Sequence, residues 1–238
     1  MKLLVIQHDH ASPLGPVAER FAERGYDSVL HLVVPPERFH DPGVETEFPD
    51  FTGFDAVVLM GAPWSVSADA VASWVHPERE QIRRADEAGV PILGICFGGQ
   101  LLAAVFGGAV GVSPQPEIGW TKVTSDDEAV VPSGRWFQWH YDRWQLPPEA
   151  KEIARNTAAS QAFVLRRNLA VQFHPELSST MLAGWLDNGG RAEATAAGVD
   201  AGELLAATRI AEAEAHARSA RLVDGFLDRV VAGSLPLG

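Results

Sequence analysis

The chain has 238 residues, of which 46% are hydrophobic and 21% charged, and its formal net charge is −12. These values are typical of a globular domain, and the acidic balance disfavours a general nucleic-acid binder, which needs a basic face for phosphates. The single cysteine, Cys96, excludes an intramolecular disulfide framework. Only residues 3–6 form an apolar run at the N-terminus, too short for a secretory signal, so we expect a cytoplasmic protein.

The first half of the chain alternates predicted strands with predicted helices. The predicted strands are 2–7, 28–34, 55–60 and 92–95, and the predicted helices are 16–24 and 77–88. This alternation indicates an α/β fold with an open, mostly parallel sheet and helices on both faces. Residues 90–112 carry no charge and could span a membrane by length. Pro91 and six glycines divide them, however, into a strand, a turn and a short helix, so we expect no membrane span.

The second half is richer in predicted strands and ends in a helical tail. Further strands are predicted over 118–124, 135–140, 162–165 and 169–173, with a helix over 177–186. Residues 191–220 contain 12 alanines, which favours helix, and Leu222, Phe226 and Val230 form an apolar stripe for docking onto the core. We therefore expect one domain over 1–238, with a core over about 2–186 and a helical extension over 187–238.

Cys96 lies in a glycine-rich turn between a predicted strand and a predicted helix. Gly94 and Gly98 stand two residues to either side, as a nucleophile elbow requires for the chain to close without collision. The helix N-terminus beyond favours a thiolate and an anion developing beside it. A buried structural cysteine is the simpler alternative, but the paired glycines and the strand–helix context favour a nucleophile.

A second chemical segment contains His174 and Glu176, directly after another apolar run. A cysteine nucleophile needs a base, and the base needs an orienting group, which are the roles that histidine and glutamate can fill. In an open parallel sheet, ligands bind beyond the carboxyl ends of the strands. Because Cys96, His174 and the turn at Gly61 and Ala62 each follow a predicted strand, we expect them at one edge of the sheet.

These segments resemble a known family. The class I, triad-type glutamine amidotransferases are similar to this chain at GICFGGQ (94–100), FHPE (173–176) and MGAP (60–63). Their stand-alone, GMP-synthase-like members are similar at IQH (6–8), PEIGW (116–120), WHYD (139–142), SQAF (160–163) and VQFHPE (171–176). The resemblance covers about residues 2–186 and implies a flavodoxin-like fold. It does not cover the tail.

The resemblance also implies a glutaminase reaction without a cofactor. Cys96 would attack the glutamine amide, His174 would move the proton and Glu176 would orient His174. The backbone N–H of Phe97 and one from the Gly61–Ala62 turn would form the oxyanion hole. The substrate-binding positions would be Gln100, His140, Tyr141 and Asp142. The expected partners are L-glutamine or another γ-glutamyl compound and a separate synthetase, because no phosphate-binding loop is present.

Two departures from the family pattern keep other functions open. Ala62 replaces a common glycine and would be strained if its φ were positive, and Tyr141 stands where small residues are usual. The alternatives are a non-catalytic binding subunit or a γ-glutamyl peptidase with the same triad. Strain at Ala62, together with the missing synthetase, would also predict weak activity of the isolated chain and activation by a partner.

Weaker candidates lie elsewhere in the chain. The run His8–Asp9–His10 could bind a metal, but a strand-capping turn explains it better, and no metal-ligand spacing pattern is present. Glu117 could contact the substrate or be a solvated loop carboxylate. Four tryptophans in the middle region are better explained by core packing than by base stacking, given the acidic balance. They are Trp120, Trp136, Trp139 and Trp144.

Overall fold

The computed structural model describes residues 1–233 and shows one mixed sheet with helices on both faces. The strands are β1 (Lys2–Gln7), β2 (Asp27–Leu32), β3 (Ala56–Leu59), β4 (Ile92–Ile95), β5 (Ala109–Ser125), β6 (Gly134–Gln145), β7 (Lys151–Arg155), β8 (Ser160–Leu165) and β9 (Asn168–Val171). The helices are α1 (Gly15–Glu23), α2 (Ala72–Glu87), α3 (Phe97–Val105), α4 (Ser179–Trp185), α5 (Arg191–Ala196) and α6 (Ala201–Gly225).

The strand order is β2-β1-β3-β4-β9-β8-β7-β5-β6. The first five strands in this order are parallel to one another, and the remaining pairings are antiparallel. The predicted open sheet with helices on both faces is therefore confirmed, with an antiparallel extension at one side. Because β1, β3, β4 and β9 run side by side in one direction, their carboxyl ends meet at one edge.

The parallel strands are buried on both faces, which explains their continuous apolar runs. Leu3 and Val5 of β1 pack in one core cluster with apolar residues of α1 and α6. Leu4 and Ile6 pack in a second cluster, with apolar residues of α2 and α3. Each fully buried side chain of this type contributes about 1.5–3 kcal/mol of transfer free energy, so the central strands are firmly held.

Several elements differ in extent from the prediction. Helix α2 begins five residues before Pro77, because the chain enters it through a 3-10 turn and Pro77 is accommodated inside the helix. Strands β5 and β6 pair as a long antiparallel ribbon whose outer residues are exposed, so a search for apolar runs finds only part of it. Strand β7 was not predicted, since only two of its five residues are buried. Within residues 1–233, no helix is long and apolar enough to cross a membrane.

The tail packs back onto the domain. Leu222, Phe226 and Val230 are buried in the cluster that also holds α1, as their four-residue spacing predicts. Arg20 of α1 binds Asp224 of α6 at 2.9 Å, which adds a partly exposed ion pair to the apolar contact. The last five residues of the predicted tail, 234–238, lie outside the described residues.

Candidate active site

Cys96 occupies a sharp turn between β4 and α3. Its φ is 49° and its ψ is −105°, a conformation that is costly for a residue with a Cβ. A Cβ on Gly94 would lie 2.6 Å from the carbonyl oxygen of Gly98, and a Cβ on Gly98 would collide with the backbone of Leu59. Glycine at both flanks is therefore a steric requirement of the turn, as the sequence predicts.

Backbone hydrogen bonds hold this turn against the neighbouring strands. The N–H of Cys96 donates to the carbonyl of Val171, at the end of β9, over 2.8 Å. The N–H of Gly98 donates to the carbonyl of Met60, just beyond β3, over 3.1 Å. The strained residue is thus held from both sides, and the turn is rigid where a nucleophile would need to be rigid.

His174 and Glu176 follow β9 and form a buried pair. The imidazole Nδ1 lies 2.7 Å from Oε1 of Glu176, and the N–H of His174 donates to the carbonyl of Phe137 at 2.9 Å. The indole ring of Trp185 packs edge-on against the imidazole, with 5.0 Å between centroids. Nε2 of His174 is buried and has no hydrogen-bond partner among the described residues. The free nitrogen is therefore the one remote from Glu176.

The pKa of His174 reflects two opposing effects. Burial lowers the pKa, but the Glu176 carboxylate and the Cys96 side chain raise it, and the net result is well above 6.5. A carboxylate in a poorly hydrated site stabilises the imidazolium by charge and by hydrogen bonding at the same time. His174 is thereby suited to hold a proton and to give it to a basic atom beside Cys96.

Two groups adjoin the sulfur of Cys96 besides the imidazole. Sγ lies 4.0 Å from the carbonyl oxygen of Trp139, and Nε2 of Gln172 lies 3.7 Å from Sγ. Gln172 is fully buried, and sequence analysis did not identify it as a site residue. Its position could have indicated a role, because a glutamine within the predicted buried strand 169–173 has an amide that requires hydrogen-bond partners.

The turn at Gly61 and Ala62 lies beside both Cys96 and His174. A Cβ on Gly61 would be 3.2 Å from Cε1 of His174 and 3.8 Å from Cβ of Cys96. In the described chain, the non-glycine residues with positive φ are Cys96 and Arg166, so Ala62 is not strained. The condition for strain at Ala62, a positive φ, is therefore not met, because this turn follows a path that alanine can adopt. Glycine is needed at 61 for close approach and not for its φ.

A cavity of about 220 Å³ opens at this edge of the sheet. Eight of the site positions that the family resemblance implies line it: Gly61, Ala62, Cys96, Gln100, His140, Tyr141, Asp142 and His174. Phe97 and Glu176 lie behind the lining side chains, where Phe97 would contribute only its backbone N–H. The structure thus brings together all the positions that the family resemblance implies.

The predicted substrate-binding positions His140, Tyr141 and Asp142 lie within strand β6, where they are held by hydrogen bonds to the backbone and by a buried contact with Glu117. Nε2 of Gln100 donates to the carbonyl of Asp142 at 3.1 Å, and Nδ1 of His140 lies 3.0 Å from the same oxygen. Nε2 of His140 lies 3.4 Å from Oε2 of Glu117. Glu117 does not line the cavity and supports His140 from behind, so it is neither a direct substrate contact nor a solvated carboxylate.

Other candidates prove to be structural or have a different place. His8 pairs with Glu78 at 3.1 Å, while His10 packs against Phe39, and the residues described contain no cluster of three potential metal ligands. Trp136 and Trp144 are core residues as expected. Trp139 instead lines the cavity.

The tail also contributes to the cavity, which sequence analysis did not predict. Asn188, Gly190 and Glu193 of the tail line it, next to Trp185 at the end of α4. The indole N–H of Trp139 donates to Oε2 of Glu193 at 2.9 Å. Partial burial and the charge of Glu193 raise the pKa of the Tyr141 hydroxyl. One side of the cavity is therefore built from residues at or beyond the end of the region with recognisable motifs.

Residues 17–189 match the family described as glutamine amidotransferase class-I. The chain belongs to this family. Its fold and motif segments agree with a class I, cysteine-dependent glutamine amidotransferase.

Two relatives of known name show how much of this chain, and how much of each relative, the similarity covers. The glutamine-hydrolyzing GMP synthase of Aeropyrum pernix is 35% identical over 225 residues, covering 85% of this chain and 42% of that protein. One subunit of the glutamine-hydrolyzing GMP synthase of Sulfolobus acidocaldarius is 36% identical over 136 residues, covering 53% of this chain and 70% of that protein. The chain therefore spans less than half of the Aeropyrum relative.

A glutamine amidotransferase from Thermotoga maritima superposes with a TM-score of 0.80 at 25% identity, covering 97% of this chain and 98% of that one. A glutamine amidotransferase from Methylobacillus flagellatus gives 0.82 at 23% identity, covering 95% and 94%, and shows a shared fold. The fold shared with these two structures extends over almost the whole chain, including most of the tail.

Proposed function

We propose that Cys96, His174 and Glu176 form a catalytic triad that hydrolyses the side-chain amide of L-glutamine and releases ammonia. The observation that carries this proposal is the convergence of three features in one cavity. They are a strained elbow with Cys96 at its apex, a buried His174–Glu176 pair at 2.7 Å and a free imidazole nitrogen on the side away from Glu176. This is the general arrangement of nucleophile, base and orienting group.

Because the raised pKa of His174 lets Nε2 hold the thiol proton before the substrate reacts, Sγ of Cys96 attacks the carbon of the glutamine amide as a thiolate in the first step. A C–S bond forms while the amide carbonyl becomes an oxyanion. The backbone N–H of Phe97 and one N–H of the Gly61–Ala62 turn would donate to that oxygen. Each donor of this kind contributes about 100- to 1,000-fold to the rate, because it is aimed at charge that develops in the transition state.

In the second step, the imidazolium gives its proton to the amide nitrogen, the C–N bond breaks and ammonia leaves. A γ-glutamyl thioester remains on Cys96. Water then attacks the thioester as His174 takes a proton from the water, the C–S bond breaks, and glutamate departs, which leaves the Cys96 thiolate beside the protonated imidazole. The raised pKa of His174 supports this cycle, because the imidazolium must persist until the leaving nitrogen accepts the proton.

The amino-acid end of the substrate would lie against Gln100, His140, Tyr141 and Asp142. These side chains line the cavity, and hydrogen bonds to the Asp142 carbonyl hold this part of β6 in place. The relatives are named glutamine-hydrolyzing GMP synthases, and several of those names denote one subunit of the enzyme. We therefore propose that the acceptor of the ammonia is a synthetase on a separate chain, of the kind that those names imply.

The proposal is tested with Cys96→Ser and the wild-type chain, by measuring glutamate and ammonia formed from L-glutamine. Wild-type protein should form both products in equal amounts, and quenched samples should contain a γ-glutamyl adduct at Cys96 by mass spectrometry. Cys96→Ser should lose nearly all turnover with an unchanged circular dichroism spectrum. Wild-type turnover in the serine variant would show that Cys96 is not the nucleophile.

A further inference from the structure

The proposed reaction fixes the side of the cavity through which the leaving amine departs. His174 must reach the leaving nitrogen, so the departing group lies on the imidazole side. Trp185 packs edge-on against His174 there, and it also adjoins Trp139, with 6.0 Å between their ring centroids. Asn188 and Gly190 continue the same wall. The leaving-group side is therefore built largely from the segment that follows α4.

The backbone of this segment is shaped to form the wall. The chain leaves helical geometry at Asn188 and Gly189, whose φ is 106°, before α5 begins. A Cβ on Gly190 would lie 2.8 Å from the carbonyl oxygen of Trp185 and 3.1 Å from Cζ2 of Trp139. Only glycine at 190 permits this close packing. The kink and the close approach together bring Glu193 of α5 onto the Trp139 indole.

Apart from the His174 imidazolium, the charged groups that line the cavity are carboxylates. Asp9, Asp142 and Glu193 are carboxylates, and among the described residues that line the cavity there is no lysine or arginine. Two of the three adjoin the tryptophan wall. Glu193 accepts from Trp139, and Asp9 is joined to Trp185 through Ala11, whose N–H donates to Asp9 and whose carbonyl accepts from the Trp185 indole.

Asp9 also has an unused hydrogen-bonding atom. Its side chain is 1% exposed, Oδ1 accepts from the Ala11 N–H at 2.7 Å, and Oδ2 has no partner within residues 1–233. A buried carboxylate oxygen without a donor is costly, so its place at a cavity suggests that a ligand supplies the donor. Released ammonia alone would not require such an acidic and aromatic wall.

We propose that Trp185, Asn188, Gly190, Glu193 and Asp9 form a leaving-group subsite that accepts γ-glutamyl amides whose nitrogen carries a short alkyl chain ending in a protonated amine. This deepens the proposed function and rests on it. Cys96 forms the same thioester, the C–N bond breaks, and the amine departs with the proton from His174. Water then releases glutamate, so the products are glutamate and a diamine.

Three γ-glutamyl amides of matched length test the subsite. Their N-substituents are 3-ammoniopropyl, n-butyl and 3-carboxypropyl, which differ chiefly in terminal charge. The wild-type chain should show a kcat/KM about fivefold higher for the cationic amide than for the butyl amide, and lowest for the anionic amide, as expected for a partly exposed charge pair. Raising the salt concentration should reduce the preference, since screening weakens such pairs.

Single substitutions test which residues cause the preference for the cationic amide over the butyl amide. Glu193→Gln should bring the cationic-to-butyl ratio to within about twofold, and Asp9→Asn should move the ratio in the same direction. Asp187→Asn is the matched control, because Asp187 is an acidic neighbour of the kink that does not line the cavity. The ratio should stay at its wild-type value in that control. If Asp187→Asn lowers the ratio as much as Glu193→Gln, the preference reflects overall charge and the subsite is wrong.

The outcome also separates this inference from the proposed function. If the chain hydrolyses glutamine through Cys96 but none of the three amides, the subsite proposal is overturned and the triad stands. Equal rates for all three amides likewise overturn it. If Cys96→Ser retains activity on glutamine, the triad itself is wrong, whatever the order of the amides.

Discussion

Two buried histidine–glutamate pairs lie near the same edge of the sheet, in opposite surroundings. His174 and Glu176 follow β9 and meet at 2.7 Å, while His8 follows β1 and meets Glu78 of α2 at 3.1 and 3.2 Å. The second imidazole is completely enclosed, with the ring of Trp74 5.5 Å away and that of Phe97 4.8 Å away. In the first pair, the histidine lines the cavity beside Cys96.

The comparison shows that residue type and burial do not distinguish the proposed catalytic pair from a structural one. Burial lowers the pKa of His8, but Glu78 outweighs it and raises the pKa above 6.5, as Glu176 does more strongly for His174. The difference is the surroundings of the imidazole. Only that of His174 borders a cavity with a nucleophile. Its partner can therefore tune a proton transfer, while Glu78 can only hold His8 in place.

The largest expected effect comes from removing each histidine in turn. His174→Gln should lower kcat on the order of 10⁴-fold, because the proton path to the leaving nitrogen is lost. His8→Gln should cost less than about tenfold in kcat, measured at a temperature where both variants are folded, since no step uses its proton. Circular dichroism confirms folding before each assay. Comparable losses in the two variants would erase the distinction between the pairs.

Replacing Glu176 and Glu78 in turn should change two different measured properties, the pH dependence of activity for Glu176 and the stability of the fold for Glu78. Glu176→Gln should reduce kcat less than His174→Gln does, as an orienting group does in a comparable protease triad. It should also move the alkaline limb of kcat/KM to lower pH, because a cause of the raised His174 pKa is removed and the imidazolium is lost earlier on raising the pH. Glu78→Gln should leave that limb where it is in the wild type. If the alkaline limb of kcat/KM does not move in Glu176→Gln, Glu176 does not raise the pKa of His174, and the proposed pairing is wrong.

Glu78→Gln should instead change stability in a pH-dependent way. A histidine whose pKa is raised on folding stabilises the fold fully below its unfolded value, near 6.5, and this contribution is lost as the pH rises through the folded value. The free energy of unfolding should therefore fall by about 1–3 kcal/mol at about pH 6. The difference from wild type should shrink as the pH rises past 6.5. Chemical denaturation at several pH values measures it, and a constant difference would show that His8 is not charged in the folded chain.

The same comparison explains what the sequence could predict. The elbow was predictable because its steric demands fall on Gly94 and Gly98, two residues from Cys96. The pairing of His8 with Glu78 was not, because the two lie 70 residues apart and Glu78 belongs to a helix that looks like a charged surface helix. Local patterns contain local constraints, whereas a contact made by docking α2 onto β1 requires the assembled fold.

The parts of the site and fold that were missed have the same origin. Glu193 reaches the cavity only because the chain kinks at Gly189, and Trp185 reaches it because α4 packs beside His174, so no local pattern places either residue there. The β5–β6 ribbon was found only in part because much of its length is exposed and is held by cross-strand pairing. These features depend on contacts between distant parts of the chain, so the pattern of apolar residues could not predict them.

The smallest expected effect concerns the turn that separates the two pairs. Gly61 lies between them, since it approaches His174 closely and its backbone contributes to raising the pKa of His8. Gly61→Ala should lower kcat about tenfold, because the added Cβ at 3.2 Å from Cε1 would displace the imidazole slightly from the sulfur. KM should change less, since no substrate contact is removed.

Ala62→Gly is the matched variant for that turn. If alanine were strained at 62, glycine would relieve the strain and turnover would rise. Because the φ of Ala62 is not positive, we expect no gain, and a small loss from added backbone freedom is consistent with this geometry. Steady-state glutaminase kinetics on the isolated chain measure both variants. A tenfold gain in Ala62→Gly would show that the turn rests in an unready conformation, and activation by a partner would then have a structural cause at Ala62. Without such a gain, activation by a synthetase does not act through the conformation of Ala62.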